Sequence, residues 1–197
     1  MNKLMKSITL IGKKVLSTVL LSLCVTTGFG QHIFNVDPVQ AAEIAAFMKQ
    51  PSAVEGKCNA EVLGIVTTAS EFSWDDINTW KNADGKVWAD GATADYAPTV
   101  FGFGFKKNAP YNGGASWICL ITNKDDDKWN PAIPGVADLK GNFILSNCNA
   151  TTVKIANSQI NTIKICMNNP TEDCYISTKR NSNLEQLDIS GSTGKLR

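Results

Sequence analysis

The chain has 197 residues, 43% hydrophobic and 19% charged, with a formal net charge of +1 and six cysteines. That composition excludes extended disorder and leaves room for one domain with its own core. Residues 1–30 hold four of the nineteen basic residues and no acid, so the remainder carries 15 basic against 18 acidic side chains. Such a balance offers no bulk attraction to nucleic acid or anionic lipid.

Lys3, Lys6, Lys13 and Lys14 precede an uncharged run from Val15 to Cys24, and small residues lead on to Gly28-Phe29-Gly30. This is the three-part pattern of a secretory signal. Its apolar core is shorter than the roughly 20 residues that a spanning helix needs. Residues 1–30 therefore read as a leader removed on export, with cleavage after Ala41 as the alternative. Lipidation at Cys24 is disfavoured, because Leu23 before it is not small. The mature chain is assigned to a secreted, periplasmic or cell-surface location without a membrane anchor. One globular domain is expected over 31–180 and a polar flexible tail over 181–197.

Asp37 is a good N-cap, Pro38 suits the first helical turn, and Gln40 stands where a capping box needs it. Val39, Ala42, Ile44, Ala45, Phe47 and Met48 supply apolar spacing, and Pro51 closes this helix. Val62 to Thr68 is rich in β-branched residues and predicts a strand with a bulge at Gly64. Ser73 then opens a short helix with Asp75 and Asp76 in its first turn and Trp74, Ile77 and Trp80 on one side. Thr99 to Phe105 alternates strictly, placing Phe101, Phe103 and Phe105 on one face and Gly102 and Gly104 on the other. With Ala115 to Thr122 it predicts a hairpin whose aromatic face meets the core. Further strands are predicted at 143–147, 152–156, 160–166 and 174–178. No internal repeat is evident; Cys-Asn-Ala recurs at 58–60 and 148–150. The expected fold is α+β, an N-terminal helix packed on a mainly antiparallel sheet.

In an oxidising compartment the cysteines after the leader read as disulfides, and their odd number leaves one thiol over. Cys166 and Cys174 flank a turn-rich segment between two strand-like runs, which favours a Cys166–Cys174 bridge. Cys119–Cys148 is the second pair, leaving Cys58 unpaired or bonded to another chain. The expected fold is thus disulfide-stabilised.

His32 is the one histidine of the chain, which argues against serine or cysteine triads and against histidine-rich metal centres. No catalytic residue, metal or cofactor is assigned. Asp75 and Asp76 have the residue type for carboxylate-based glycan chemistry, but they also favour a helix start. Asn82, Asp84 and Gly85 fail the EF-hand pattern, with Trp80 and Gly91 at its first and twelfth positions. Asp125 to Asp127 read as a solvated turn. Asn149-Ala150-Thr151 matches a glycosylation acceptor. Trp88 and Trp129 are candidate exposed platforms for a sugar ring.

A hydrophobic N-terminal segment, a helix, an antiparallel sheet and a late Cys166–Cys174 loop are together similar in layout to type IV pilins and their minor relatives. The processing motif differs: Lys13 and Lys14 follow Gly12, and Asn35 is fifth after Gly30, where that family has glutamate. The resemblance implies a filament-associated subunit. The expected function is therefore an exported, non-enzymatic bacterial surface protein acting through protein contacts or self-assembly. The alternative is a small secreted carbohydrate-binding or glycan-processing protein.

Overall fold

The computed structural model describes residues 37–86, 101–105, 115–122, 132–148 and 150–196. The leader, His32, Trp88, Trp129, Asn149 and Asp125 to Asp127 lie outside them. Helix α1 spans Pro38–Lys49, begins on the Asp37 carboxylate, which accepts the Gln40 N–H at 2.9 Å, and ends at Gln50 before Pro51. It buries Ile44, Ala45, Phe47 and Met48, while Val39 faces solvent.

The strand predicted at 62–68 does not form. Glu61 accepts the Cys58 N–H at 2.8 Å and starts a single helical turn, α2, Asn59–Val62. The turn stops before Gly64, and Leu63 and Ile65 enter the core from an irregular segment. Local capping overrides the β-branched composition. The helix predicted from Ser73 is likewise only a 3₁₀ turn, Ile77–Thr79, capped by Asp76. Trp74 and Trp80 pack there against Phe72, with Trp80 fully buried and its indole N–H donating to the Ser73 carbonyl at 2.9 Å.

Among the described residues seven strands follow: β1 Phe103–Phe105, β2 Ala115–Leu120, β3 Lys140–Cys148, β4 Thr152–Ala156, β5 Gln159–Lys179, β6 Gln186–Asp188 and β7 Thr193–Leu196. The content is mixed, sheet with few helices, and the predicted hairpin is β1–β2. Phe101 and Phe103 are buried as expected. β2 approaches Gly102 closely. A side chain on Gly102 would meet the Cys119 carbonyl and Leu120.

The expectation of a mainly antiparallel sheet is corrected. Only β1–β2 is antiparallel among the described pairs; β2–β4, β3–β5, β4–β5, β5–β6 and β5–β7 are parallel. The chain advances as a coil. Along one wall β3, the first part of β5 and β6 stack in order, and along another β2, β4 and the last part of β5. Inward side chains consequently form columns: Phe143–Ile163–Leu187 on the first wall and Ile118–Val153–Ile176 on the second. The steps on the first wall are 20 and 24 residues, so a structural repeat exists where none was expected. The segment after Arg180, expected as a polar tail, carries β6 and β7, both paired to β5.

This geometry accounts for the cysteines. No disulfide joins the described ones. Cys166 and Cys174 both lie on β5, which continues through the turn-rich segment instead of folding back, so no hairpin returns one to the other. Cys119 packs with Ile121 and Ala156 in a small cluster, whereas Cys148 belongs to the main core, so those two thiols do not pack together. The antiparallel sheet and late disulfide loop of the pilin layout are therefore both absent from the described residues.

Candidate functional site

The two ends of the coil differ, and the difference is built from side chains. At the first end, β3 would present an unpaired edge. Four polar side chains from the N-terminal elements close it by imitating a neighbouring strand. The Asn59 amide donates to the Lys140 carbonyl at 2.9 Å and accepts the Lys140 N–H at 3.1 Å. The Gln50 amide repeats the exchange at Asn142, at 2.8 and 2.7 Å. The Ser146 N–H and hydroxyl donate to the Glu43 carboxylate, and the Gln40 amide donates to the Asn147 carbonyl at 3.0 Å. Gly141 permits this approach, because a side chain there would strike the Gln50 amide and its φ is +93°. Beneath the polar staples Phe47 meets Phe143 edge to face, with ring centres 5.0 Å apart, and seals the apolar column. This end is closed.

Among the described residues the other end is open. β6 pairs with β5 through Thr162–Gln186, Ile163–Leu187 and Lys164–Asp188. Phe143 and Ile163 are fully buried, but Leu187, the last member of their column, is 49% exposed, and Ile189 is 38% exposed. Among the described residues no further strand pairs with β6. Beside the column, the outward row Ile144–Lys164–Asp188 ends in an ion pair, Lys164 Nζ to Asp188 Oδ2 at 3.2 Å. Hydrogen bonds from Ser190, together with the Lys164 ammonium, hold the Asp188 carboxyl down at about 2. The polar stack Asn147–Asn168–Thr193 ties the successive rungs together through two bonds of 3.0 Å. Asn181 secures the turn before β6, accepting from Ser158 and donating to the Ile155 carbonyl at 3.0 Å.

On the outer face of the second wall the Lys154 ammonium stands over the Trp117 ring at 5.9 Å and the Tyr175 ring at 5.8 Å. A cation thus already covers these rings. Tyr175 is 46% exposed.

The residues singled out from sequence do not converge on one site. Cys58 is a half-buried thiol at the start of α2, and burial raises it above the ordinary thiol value. Cys148 is buried in the core, which pushes its thiol up to about 12. Asp75 is exposed, and Asp76 caps the 3₁₀ turn. Asn82 organises a turn by accepting the Asp84 and Lys86 N–H groups. Trp88 and Trp129 are outside the described residues. Among the described residues no group of three or more His, Cys, Asp or Glu side chains is placed to hold a metal. No helix there is long and apolar enough to cross a membrane.

Leu187, Asp188 and Ile189 were hidden in the presumed tail. The signal that reveals them is a shared spacing: Ile160-x-x-Ile163-x-Ile165-x-x-Asn168 and Leu184-x-x-Leu187-x-Ile189-x-x-Ser192. Phe143-x-Leu145-x-x-Cys148 is a shorter form of it. Comparison with protein-family models, curated proteins and solved structures returns no match.

Proposed function

We propose that the protein is an exported, non-enzymatic binding protein that acts through protein contacts at the open end of its coil. The observation that carries this reading is the contrast between the ends: one is stapled shut by Asn59, Gln50, Glu43 and Gln40, while the other leaves Leu187 and Ile189 in solvent. Repeat structures require capping at their termini to stay soluble, because an end rung presents apolar side chains and unpaired backbone. An end without such a cap is suited to being covered by a partner. The apolar spacing matches in part that of leucine-rich repeats, whose stacked strands form binding surfaces, with Asn168 and Cys148 at the ninth position and Ser192 departing from it. The leader pattern at residues 1–30 supports export.

A photo-crosslinking side chain placed at Leu187, and separately at the exposed Val39 on the closed side, tests the reading in the producing cells. Protease-sensitive adducts formed from position 187 and absent from position 39 are expected. Adducts that only glycosidases remove would transfer the function to the carbohydrate-binding alternative. No adduct at position 187 would end the protein-contact reading.

A further inference from the structure

We infer that the open end takes the next rung from a partner protein, as an extended segment in which a basic residue stands between two apolar ones. This rests on the reading of the open end as a binding surface and specifies what binds. Two rows define the chemistry. The inward row Phe143–Ile163–Leu187 ends on an exposed leucine, with Ile189 exposed two residues on, so an added strand meets apolar contacts at alternate positions. The outward row runs Ile144–Lys164–Asp188, and its charge alternates, positive then negative. A basic side chain continues that alternation, whereas an acidic one stands directly against Asp188. The carboxylate is ionised throughout the physiological range, since Ser190 and Lys164 hold it at about 2.

A second copy of this chain fits less well. Head-to-tail stacking needs the edge of β3, which Asn59, Gln50 and Glu43 already occupy. Tail-to-tail pairing sets one acidic edge, Glu185 and Asp188, against another, a like-charge contact.

The test is anisotropy titration of the full chain against labelled nonapeptides of Ser and Thr carrying a central Leu-Lys-Ile, Leu-Glu-Ile or Ser-Lys-Ser. Leu-Lys-Ile is expected to bind about tenfold more tightly than Leu-Glu-Ile, and Ser-Lys-Ser not measurably. The charge swap Lys164→Asp with Asp188→Lys, which keeps an ion pair between β5 and β6, is expected to reverse the charge preference. Leu187→Ser is expected to abolish binding with its melting temperature within a few degrees of the parent. Equal binding of both charged peptides, or an unchanged preference in the charge swap, overturns the inference. So does concentration-dependent dimerisation lost in Leu187→Ser, which would make a second copy the occupant. If no peptide binds while crosslinks at position 187 persist, the strand chemistry is wrong and the proposed function survives. If both fail, both fall.

Discussion

At the scale of single residues, Asn59 has the largest predicted effect on stability. Its buried amide donates to the Phe47 and Lys140 carbonyls and accepts the Lys140 N–H, joining α1, α2 and β3. Asn59→Ala leaves those groups without their partner in a site with little access to water. The predicted loss is about 2–4 kcal/mol, read from urea denaturation. Gly141→Ala combines a left-handed backbone with a clash on Gln50 and is predicted to cost about 1–3 kcal/mol by the same assay. Cys148 sets a pH dependence. Its thiol rises from 9.0 to about 12 on folding, so its contribution is complete below 9. Between those values the folded chain holds the proton more tightly than the unfolded one, and stability declines as pH rises. Cys148→Ala is predicted to flatten that alkaline decline in melting temperature. These residues were only partly legible in the sequence. The Asp37 cap was legible because capping is local, but Asn59 acts across 81 positions and leaves no local trace.

At the scale of elements, the positions of β1 to β4 and of the two ends of β5 followed from composition and alternation, while the segment at 62–68, β6, β7 and the strand directions did not. Alternation specifies which side chains share a face, and it is the same for parallel and antiparallel neighbours. The run around residues 166–174 illustrates the consequence. Its Asn-Asn-Pro chemistry suggests a reversal, yet β5 carries the chain onward from one wall to the next. β6 was read as tail because Gln186, Asp188 and Ser190 interrupt Leu187 and Ile189, and steps of 20 and 24 residues do not stand out as one period. The attachment of β6 has its own pH signature. The Asp188 carboxyl is lowered from 3.8 to about 2 by Ser190 and Lys164, so its contribution is present above 3.8 and is lost as pH falls toward 2. Amide exchange at residues 186–189 is predicted to accelerate across that window. In Asp188→Asn it is predicted to be fast already at neutral pH.

At the scale of the whole molecule, the cysteine count pointed to bridges that the coil geometry does not provide. Cys166 and Cys174 are separated along a strand, and Cys119 and Cys148 lie in different clusters. Peptide mapping without reduction is predicted to find neither bridge, and recovery of either would refute this placement. The candidate site was less legible than the fold, because an end surface is defined by what stacks beneath it. Leu187 acquires meaning only from Ile163 and Phe143. One end of the parallel coil is stapled and the other open, a contrast that residue-resolved hydrogen exchange on the full chain reads out position by position. Slow exchange is predicted at Asn142 and Ser146, although they lie on an edge strand, with exchange at residues 186–189 faster than in β5 but slower than in Asp188→Asn. Gln50→Ala and Glu43→Ala should release positions 142 and 146 respectively and leave β5 unchanged. Exchange at 142 and 146 as fast as in β6, or protection of β6 equal to that of β5, would contradict the account.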